Sequence, residues 1–347
     1  MKNIADIDKN FKVETKLGKG DIKFYNVKKN PFCLYGLMFD EMFRRMPEEV
    51  AKKVNSGIEE LHLNTSGGRI RFKTNSPYVA INAVMPNKIH VPHMPQTGIS
   101  GFDIYVNGRY KKTFIPPVDM DGGYESLCDF TESEMREITI NFPIYNNVKD
   151  LYIGLAEDAV FEEAAPYKCD KKVLFYGSSI TQGGCVSRPG LTYVNLLSNM
   201  LEFDFTNLGF SASALGELEM AEYIAGQNPD IFVMDYDHNA PTPEHLEKTH
   251  EPFFKRFREL RPDTPVVMIS APNVRFENEN WERRRGLVKT TYENAVNCGD
   301  KNVYFIDGKM LWGEDDWDLC AVDALHPNDL GHYRMAKYIQ PVLEKLL

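Results

Sequence analysis

The chain has 347 residues and carries 50 acidic against 40 basic side chains, which gives a net charge of −10. This length exceeds the usual size of one domain, so we expect two domains that bury sizeable cores without disulfides or metals. The acidic balance argues against nucleic acid or an anionic membrane as the main partner. The six cysteines form no CxxC pair and no metal-ligand spacing, which predicts free and mostly buried thiols.

The N-terminus, MKNIADIDKNF, has no apolar stretch of the kind found in a secretory signal, and no window approaches the roughly 18 apolar residues of a membrane span. The sequence therefore predicts a soluble, cytoplasmic protein, or an extracellular one if a leader segment has been removed. A homo-oligomer is left open, because nothing in the sequence decides the assembly.

The first half of the chain, up to about residue 158, consists of short segments rich in Val, Ile, Tyr and Phe that often alternate in polarity. Ile70 and Phe72 fall on one face of such a segment, and Asn107 with Gly108 gives the strongest short signal for a hairpin. Several strands at this spacing predict a β-sandwich, and only residues 47–60 look helical.

Two histidines in this half, His90 and His93, could be taken for a pair of metal ligands. No third ligand lies nearby in the sequence, and Pro92 breaks any helix that would align them. We therefore interpret them as ordinary surface or strand residues.

After a loop rich in Ala, Pro and Glu at residues 162–170, strand-like and helix-like segments alternate to the end of the chain. This alternation predicts a parallel sheet covered by helices on both faces. We therefore divide the chain into a β-sandwich domain at residues 1–165 and an α/β domain at residues 166–347. The predicted strands are 172–176, 204–208, 231–236, 265–270 and 302–307, and the predicted helices are 192–201, 217–225, 242–260, 281–297 and 328–346.

A candidate nucleophile follows the first of these strands. The apolar run at residues 173–176 stops at Gly177, and Ser179 comes two residues later, before the next helix. A tight turn at the carboxyl end of a parallel strand projects a hydroxyl into a cleft. The segment matches neither a phosphate-binding GxxxxGK[ST] loop nor a G-x-S-x-G elbow, so the serine alone does not define an activity.

The partners that a serine nucleophile needs occur near the other end of the chain. Asp323 and His326 stand three residues apart, just before a helix that begins after Pro327. An imidazole can take the hydroxyl proton, and a carboxylate on its other nitrogen fixes the tautomer. We interpret Ser179, Asp323 and His326 as a catalytic triad.

Two further strand ends supply candidate donors for the negative charge that develops on an attacked carbonyl. Gly209 ends the second predicted strand, where no side chain blocks its N–H, and Asn239 follows the third. Together with the N–H of Ser179, these groups are predicted to form an oxyanion hole.

At the four strand ends the sequence resembles the SGNH (GDSL-like) hydrolases, in the blocks GSSIT, NLGFS, DYDHN and DALH. TSGGRIRF and GFDIY resemble the β-sandwich domain with a GxDLY-type motif that precedes one branch of this superfamily. The resemblance implies a flavodoxin-like, three-layer α/β/α domain behind a jelly-roll-like sandwich. It also implies Ser179 as nucleophile, His326 as general base and then acid, Asp323 as its orienting partner, and Gly209 with Asn239 in the oxyanion hole. Ser178 replaces the Asp that gives the GDSL family its name, which puts the local turn geometry in doubt.

Three other residues near these blocks could take part in the reaction or have simpler structural roles. Cys185 could be a rival nucleophile, although a structural thiol is the favoured interpretation. His238 could line the pocket or substitute as a base, while His332 is expected to pack or cap inside the last helix.

Three residues are candidates for contacts with substrate. Arg188 could reach the cleft and bind a carboxylate or sugar hydroxyls. Trp312 and Trp317 lie in the segment that leads to the Asp and His pair and could stack on a sugar ring.

The sequence and the resemblance together predict a serine esterase that removes a small acyl group, with acetyl favoured, through an acyl-enzyme on Ser179. The expected substrate is a small-molecule or oligosaccharide ester, and an O-acetylated carbohydrate is favoured by analogy. No metal and no organic cofactor is implied. Three alternatives remain open: a hydrolase of lipids or thioesters, an acyltransferase, and a catalytically inert carbohydrate-binding protein.

Overall fold

The structure is a computed structural model that describes residues 15–272 and 279–347. Its N-terminal part is built from antiparallel strands that form two main sheets, and the predicted sandwich is confirmed. The first sheet has the order β1-β11-β6-β9, and the second has the order β12-β5-β10-β7-β8 with β2 added beside β5. The strands are β1 (Ile22–Asn26), β2 (Cys33–Tyr35), β3 (Met38–Phe39), β4 (Phe43–Arg44), β5 (Arg69–Thr74), β6 (Tyr78–Val84), β7 (Phe102–Val106), β8 (Arg109–Phe114), β9 (Gly123–Asp129), β10 (Arg136–Asn141), β11 (Asp150–Ala156) and β12 (Phe161–Glu163).

The two sheets pack face to face because their strands alternate in polarity. Ile70 and Phe72 of β5 share one buried core with Val79 and Ile81 of β6, from the other sheet. Arg69 and Arg71 of β5 therefore point away from this core, toward the rest of the molecule. The expected hairpin joins β7 to β8, with Val106 paired to Arg109 across the turn.

The predicted helix at residues 47–60 is two short helices, α1 (Glu48–Val54) and α2 (Ser56–Leu61). The break falls at Asn55, whose extended backbone ends the first helix and whose side chain accepts a hydrogen bond from Ile58 N–H at 2.9 Å. Asparagine is a preferred N-cap residue, so it begins a helix more readily than it continues one. A third short helix, α3 (Gln96–Ile99), lies in the segment between β6 and β7.

The C-terminal part has five parallel strands in the order β14-β13-β15-β16-β17, as expected for a flavodoxin-like fold. Alternate residues of β13 enter different cores: Val173 and Phe175 face one layer, and Leu174 and Tyr176 face the other. Period-two alternation thus creates the two helical layers of the α/β/α domain. The strands are β13 (Cys169–Gly177), β14 (Phe203–Gly209), β15 (Ile231–Asp235), β16 (Val266–Ile269) and β17 (Val303–Ile306).

The helices divide between these two layers. Helices α6, α7 and α8 cover the face with Leu174, whereas α5 and α9 cover the face with Val173. Among the described residues, no helix combines the length and the apolar character that a membrane crossing would require. The helices of this part are α4 (Ser179–Gln182), α5 (Tyr193–Leu201), α6 (Leu218–Gly226), α7 (Pro243–Leu260), α8 (Glu279–Asn297) and α9 (Asp329–Leu346).

A polar seam joins the two parts of the chain. Asp103 of β7 is fully buried and accepts hydrogen bonds from Arg188 Nη1 at 2.8 Å, Gly190 N–H at 2.9 Å and Asn141 Nδ2 at 2.7 Å. Arg69 of β5 forms an ion pair with Asp204 at 2.7 Å on the far side of the seam. The outward, polar face of the second sheet therefore packs against the α/β domain.

Candidate active site

The turn that carries Ser179 is formed by the end of β13 and the start of α4. Ser178 caps this short helix, since its Oγ accepts a hydrogen bond from Ile180 N–H at 3.2 Å. Ser179 is the first helical residue and is only 7% exposed. A hydroxyl at Ser178 thus serves as the N-cap and resolves the doubt about this turn, because serine caps helices as well as aspartate does.

Ser179, His326 and Asp323 form one chain of hydrogen bonds. Ser179 Oγ lies 2.9 Å from His326 Nε2, and His326 Nδ1 lies 2.8 Å from Asp323 Oδ2. The backbone N–H of His326 donates to the other carboxylate oxygen, Asp323 Oδ1, at 2.7 Å. With Nδ1–H donated to the carboxylate, the Nε2 lone pair faces the serine hydroxyl, which is the tautomer that can accept its proton.

The loop that holds Asp323 and His326 is short and is closed by backbone hydrogen bonds. Val322 N–H donates to His326 C=O at 2.9 Å, and Ala321 pairs with Pro327 in an isolated bridge. Burial opposes ionisation of Asp323, but the hydrogen bonds from His326 outweigh it and hold the pKa of that carboxyl below its usual value. The carboxylate therefore stays charged beside the imidazole at neutral pH.

The N–H of Gly209 has a local acceptor, and its part in the oxyanion hole stays a prediction. That N–H donates to the side chain of Asn207 at 2.8 Å, and an added Cβ would lie 2.2 Å from Gln182 N. The residue lacks a side chain because α4 crosses β14 closely at this point. Its backbone donor is already used within the strand end.

Asn239 lies in the short 3-10 turn (Asp237–Asn239) that follows the third strand, β15. Its Nδ2 donates to Phe210 C=O at 2.7 Å, and its Oδ1 accepts from Ala212 N–H at 3.1 Å. An amide nitrogen has two hydrogens, so the second remains for another acceptor. Ala212, with a left-handed φ of 53°, was not identified from the sequence. A positive φ at a non-glycine residue cannot be inferred from composition alone.

Two buried carboxyl groups, Asp235 at the end of β15 and Asp237 just after it, were not identified from the sequence. Asp235 Oδ2 accepts hydrogen bonds from Thr181 Oγ1 at 2.9 Å and Tyr193 OH at 2.8 Å. Burial, together with the charge of Asp237, raises the pKa of Asp235 to about 8. This carboxyl lies beneath the nucleophile helix and is largely protonated at neutral pH.

Cys185 lies close to Ser179 but lacks the properties of a nucleophile. Burial, with a smaller contribution from the charge of Asp323, raises the pKa of the Cys185 thiol to about 12. The thiolate is the reactive form, so this thiol is a poor nucleophile at neutral pH. The structural interpretation of Cys185 agrees with this environment.

His332 and His238, which also lie near the site, are both neutral at physiological pH because burial lowers their pKa values. His332 is fully buried, where Nδ1 accepts from Tyr193 N–H at 3.2 Å and Nε2 lies 3.1 Å from Gly184 C=O. It packs inside α9, as expected. His238 is partly buried and contacts the Trp281 ring at a centroid distance of 4.9 Å. Burial and the charge of His326 lower its pKa to about 3, so it is too weak a base to replace His326.

Arg188 and Trp312, which were predicted to contact substrate, both have partners inside the protein. Arg188 Nη1 lies 2.8 Å from Asp103 and 2.7 Å from Tyr105 OH, and its guanidinium lies over the Tyr110 ring at 3.8 Å. Its charge is paired with Asp103 at the contact between the two domains. Trp312 is only 2% exposed and belongs to the core between the sheet, α5 and α9.

Trp317 is partly buried and packs against the same core. Its contact with a sugar stays a prediction.

Residues of the sandwich also reach the site. The His93 ring lies 5.4 Å from the His326 ring between centroids, and Tyr145 OH lies 3.5 Å from the backbone oxygen of Ser179. A Cβ on Gly184 would lie 3.3 Å from Met94 Cε, which places that methionine beside the loop after α4. The N-terminal part thus supplies part of the wall around the serine.

The fold and the hydrogen-bonded triad of Ser179, His326 and Asp323 together define an SGNH-type carboxylic ester hydrolase. The chain belongs to the GDSL-like lipase/acylhydrolase family, whose model matches residues 170–344. Residues 22–161 match the model of the N-terminus of SGNH-hydrolase-type esterases, GxDLY. The resemblance seen in the sequence blocks is confirmed.

Several solved structures share this architecture. One described as a GDSL-like lipase from Bacteroides ovatus is 29% identical, with a TM-score of 0.85 over 94% of this chain and 98% of that one. The salicylyl-acyltransferase SsfX3 from a tetracycline biosynthetic pathway is 20% identical, with a TM-score of 0.77 over 94% and 98% of the two chains. An acetyl xylan esterase from Butyrivibrio proteoclasticus is 12% identical, with a TM-score of 0.59 over 93% and 98%. The last two show a shared fold. None of the curated proteins matches the chain.

Proposed function

We propose that the protein is a serine esterase that removes a small acyl group, acetyl above all, from an O-acylated carbohydrate. The observation that carries the proposal is the continuous hydrogen-bonded chain from Ser179 Oγ through His326 to Asp323, with links of 2.9 and 2.8 Å. Such a chain lets a neutral hydroxyl attack a carbonyl, because its proton has an acceptor at the moment of attack.

The proton follows a closed path. Ser179 Oγ bonds to the acyl carbon while its proton moves to His326 Nε2, and the resulting imidazolium is stabilised by Asp323. The imidazolium then gives that proton to the departing sugar oxygen as the ester bond breaks, which leaves the acyl group on Ser179. A water molecule repeats the sequence: its proton passes through His326 to Ser179 Oγ, and the acid is released.

The oxyanion formed in each half of the reaction needs donors. We assign the backbone N–H of Ser179 and the second hydrogen of Asn239 Nδ2 to this role. The first lies in the first turn of α4, where backbone donors have no partner within the helix. Donors fixed in advance stabilise the charge without reorganisation.

The preference for a small acyl group is supported by the walls around the serine. Ser179 is 7% exposed, Cys185 is 3% exposed, and Met94 lies against the adjoining loop, which favours a small acyl group over a long chain. The carbohydrate part of the proposal is supported by the acetyl xylan esterase that shares the two-part fold.

The deciding experiment measures acetate release from acetylated oligosaccharides by the wild type and by Ser179→Ala. We expect the variant to lose about three or more powers of ten in kcat, because no other group supplies the attacking oxygen. Ser178→Ala is the matched control: it removes a neighbouring hydroxyl and a cap worth about 1 kcal/mol, but no reacting atom. Acetate release by Ser179→Ala at the wild-type rate would reject the assignment.

An acyltransferase is the second candidate, because the chain shares its fold over almost its full length with SsfX3. Transfer and hydrolysis differ only in whether an alcohol or water attacks the acyl-enzyme. Product analysis with an acceptor sugar present separates them: a new ester in excess of free acid indicates transfer. A chain-length series of p-nitrophenyl esters tests the lipid and thioester alternatives, and fluorophosphonate labelling of Ser179 tests an inert protein.

A further inference from the structure

Three potential metal ligands from separate parts of the chain meet at the catalytic centre. One ligand atom each from His93, Cys185 and His326 lies within 4.8 Å of the others. His93 belongs to the sandwich, Cys185 follows the nucleophile helix, and His326 belongs to the last loop. No third ligand lies near His90 and His93 in the sequence, but the fold brings Cys185 and His326 to His93.

This set of donors suits one class of ion. Two imidazole nitrogens and a thiolate sulfur favour Zn²⁺ over Mg²⁺ or Ca²⁺, which prefer oxygen. Three protein ligands with an open fourth position for water are a common zinc arrangement. Asp323 is not a ligand but supports one, because it is bonded to the second nitrogen of His326. A carboxylate in that position orients a ligand histidine and raises its basicity.

The ligand atoms must close in slightly to hold the ion. Zinc bonds of about 2.0 to 2.3 Å bring neighbouring ligand atoms of a tetrahedron to within about 3.3 to 3.8 Å of each other, so the triangle has to shrink by about 1 Å. Cys185 and His326 are held by burial and by hydrogen bonds, whereas His93 is exposed. We expect His93 to make most of this adjustment.

We propose that Zn²⁺ binds reversibly to His93, Cys185 and His326 and thereby inhibits the esterase. The ion occupies the Nε2 lone pair of His326, which is the same lone pair that receives the Ser179 proton. Binding releases the Cys185 thiol proton to solvent, and the Nδ1–H of His326 remains on Asp323. The inhibitory effect rests on the proposed esterase function, but the metal site itself does not.

The first experiment titrates ZnCl₂ against the initial rate on p-nitrophenyl acetate, with each variant normalised to its own zinc-free rate. We expect inhibition of the wild type that EDTA reverses. His93→Ala and Cys185→Ser should each require about tenfold or more zinc for half-inhibition, because each lacks one of three ligands. His90→Ala removes a neighbouring histidine outside the cluster and should respond like the wild type. Equal zinc sensitivity in all four proteins would overturn the proposal.

The second experiment measures binding without activity. Ser179→Ala keeps all three ligands, so it should take one Zn²⁺ in competition with a chromophoric chelator. Co²⁺ in its place should give a thiolate-to-cobalt charge-transfer band that Cys185→Ser lacks. Far-UV circular dichroism establishes that each variant is folded before its result is used.

These outcomes separate the two proposals. A Ser179→Ala protein that binds no zinc, or a cobalt band that persists in Cys185→Ser, overturns the metal site. An inactive wild type that still binds one zinc ion through Cys185 overturns the esterase assignment and leaves the metal site standing.

Discussion

At the scale of single residues, the site depends on which nitrogen of one histidine carries a proton. The proton of neutral His326 lies on Nδ1, because Asp323 accepts a hydrogen bond there. Asp323 also accepts from the backbone N–H of His326. The bond at Nδ1 fixes the ring orientation and the tautomer, and the bond from the backbone N–H holds the carboxylate in place. Asp323 contacts neither the serine nor the acyl group, so its contribution passes entirely through His326.

Asp323→Asn tests this dependence. An amide can present Nδ2 to the imidazole and favour the tautomer whose Nε2–H cannot accept the serine proton. We therefore expect kcat to fall by about two to four powers of ten while KM changes little. Because the Asp323 side chain is 35% exposed, the fold should be retained, which thermal unfolding checks. Asp318→Asn, an exposed change in the preceding turn, is the control, and full activity of Asp323→Asn would mean that Ser179 and His326 suffice alone.

At the scale of elements, the nucleophile helix rests on a carboxyl that is protonated in the folded state. Thr181 of α4 and Tyr193 of α5 both donate to Asp235 at the end of β15. The sequence predicted the strand and its end but not this role. DYDHN places polar residues after a strand, and only the fold shows that the first of them is covered by two helices.

The stability of the protein should therefore depend on pH in a specific direction. The folded state keeps the Asp235 proton up to a pKa of about 8, whereas the unfolded chain loses it near the ordinary value of 3.8. Between these values the folded state binds more protons, so the free energy of unfolding falls as pH rises, by about 1.4 kcal/mol per pH unit from this group.

Asp235→Asn should remove that contribution, because an amide does not titrate. Urea unfolding of the wild type and the variant at about pH 6 and about pH 8 measures the difference, and the gain of the variant over the wild type should be larger at the higher pH. Asp230→Asn, at the exposed start of the same strand, controls for an acid-to-amide change elsewhere. A stability difference between Asp235→Asn and wild type that does not change with pH would contradict the buried, protonated carboxyl.

At the scale of the whole molecule, the sequence specified each domain better than it specified their contact. Periodicity of two in the first half and alternating strands and helices in the second predicted both architectures, and four strand-end blocks predicted which residues converge. The surroundings of Arg188, Trp312 and Gly209 were not predicted, for one shared reason. Each is defined by a neighbour distant in sequence or by local packing, namely Asp103, the α9 core and the crossing α4, and no local pattern records such contacts.

The seam itself gives the last prediction. Asp103 is fully buried and holds both Arg188 and Gly190, in the loop that follows the nucleophile helix. Asp103→Ala leaves the Arg188 charge largely buried without its partner, which costs about 3 to 5 kcal/mol, and frees the loop beside Cys185. We therefore expect a clear loss of thermal stability and a lower kcat on p-nitrophenyl acetate.

Glu202→Ala is the control, because it removes an exposed ion pair with Lys168 that lies within the α/β domain. Exposed pairs contribute about 0 to 1 kcal/mol, so this variant should resemble the wild type. If Asp103→Ala unfolds at the wild-type temperature, the buried pair does not hold the domains together. If it loses stability but keeps full kcat, the sandwich stabilises the α/β domain without positioning the nucleophile loop, and the GFDIY segment is then structural alone.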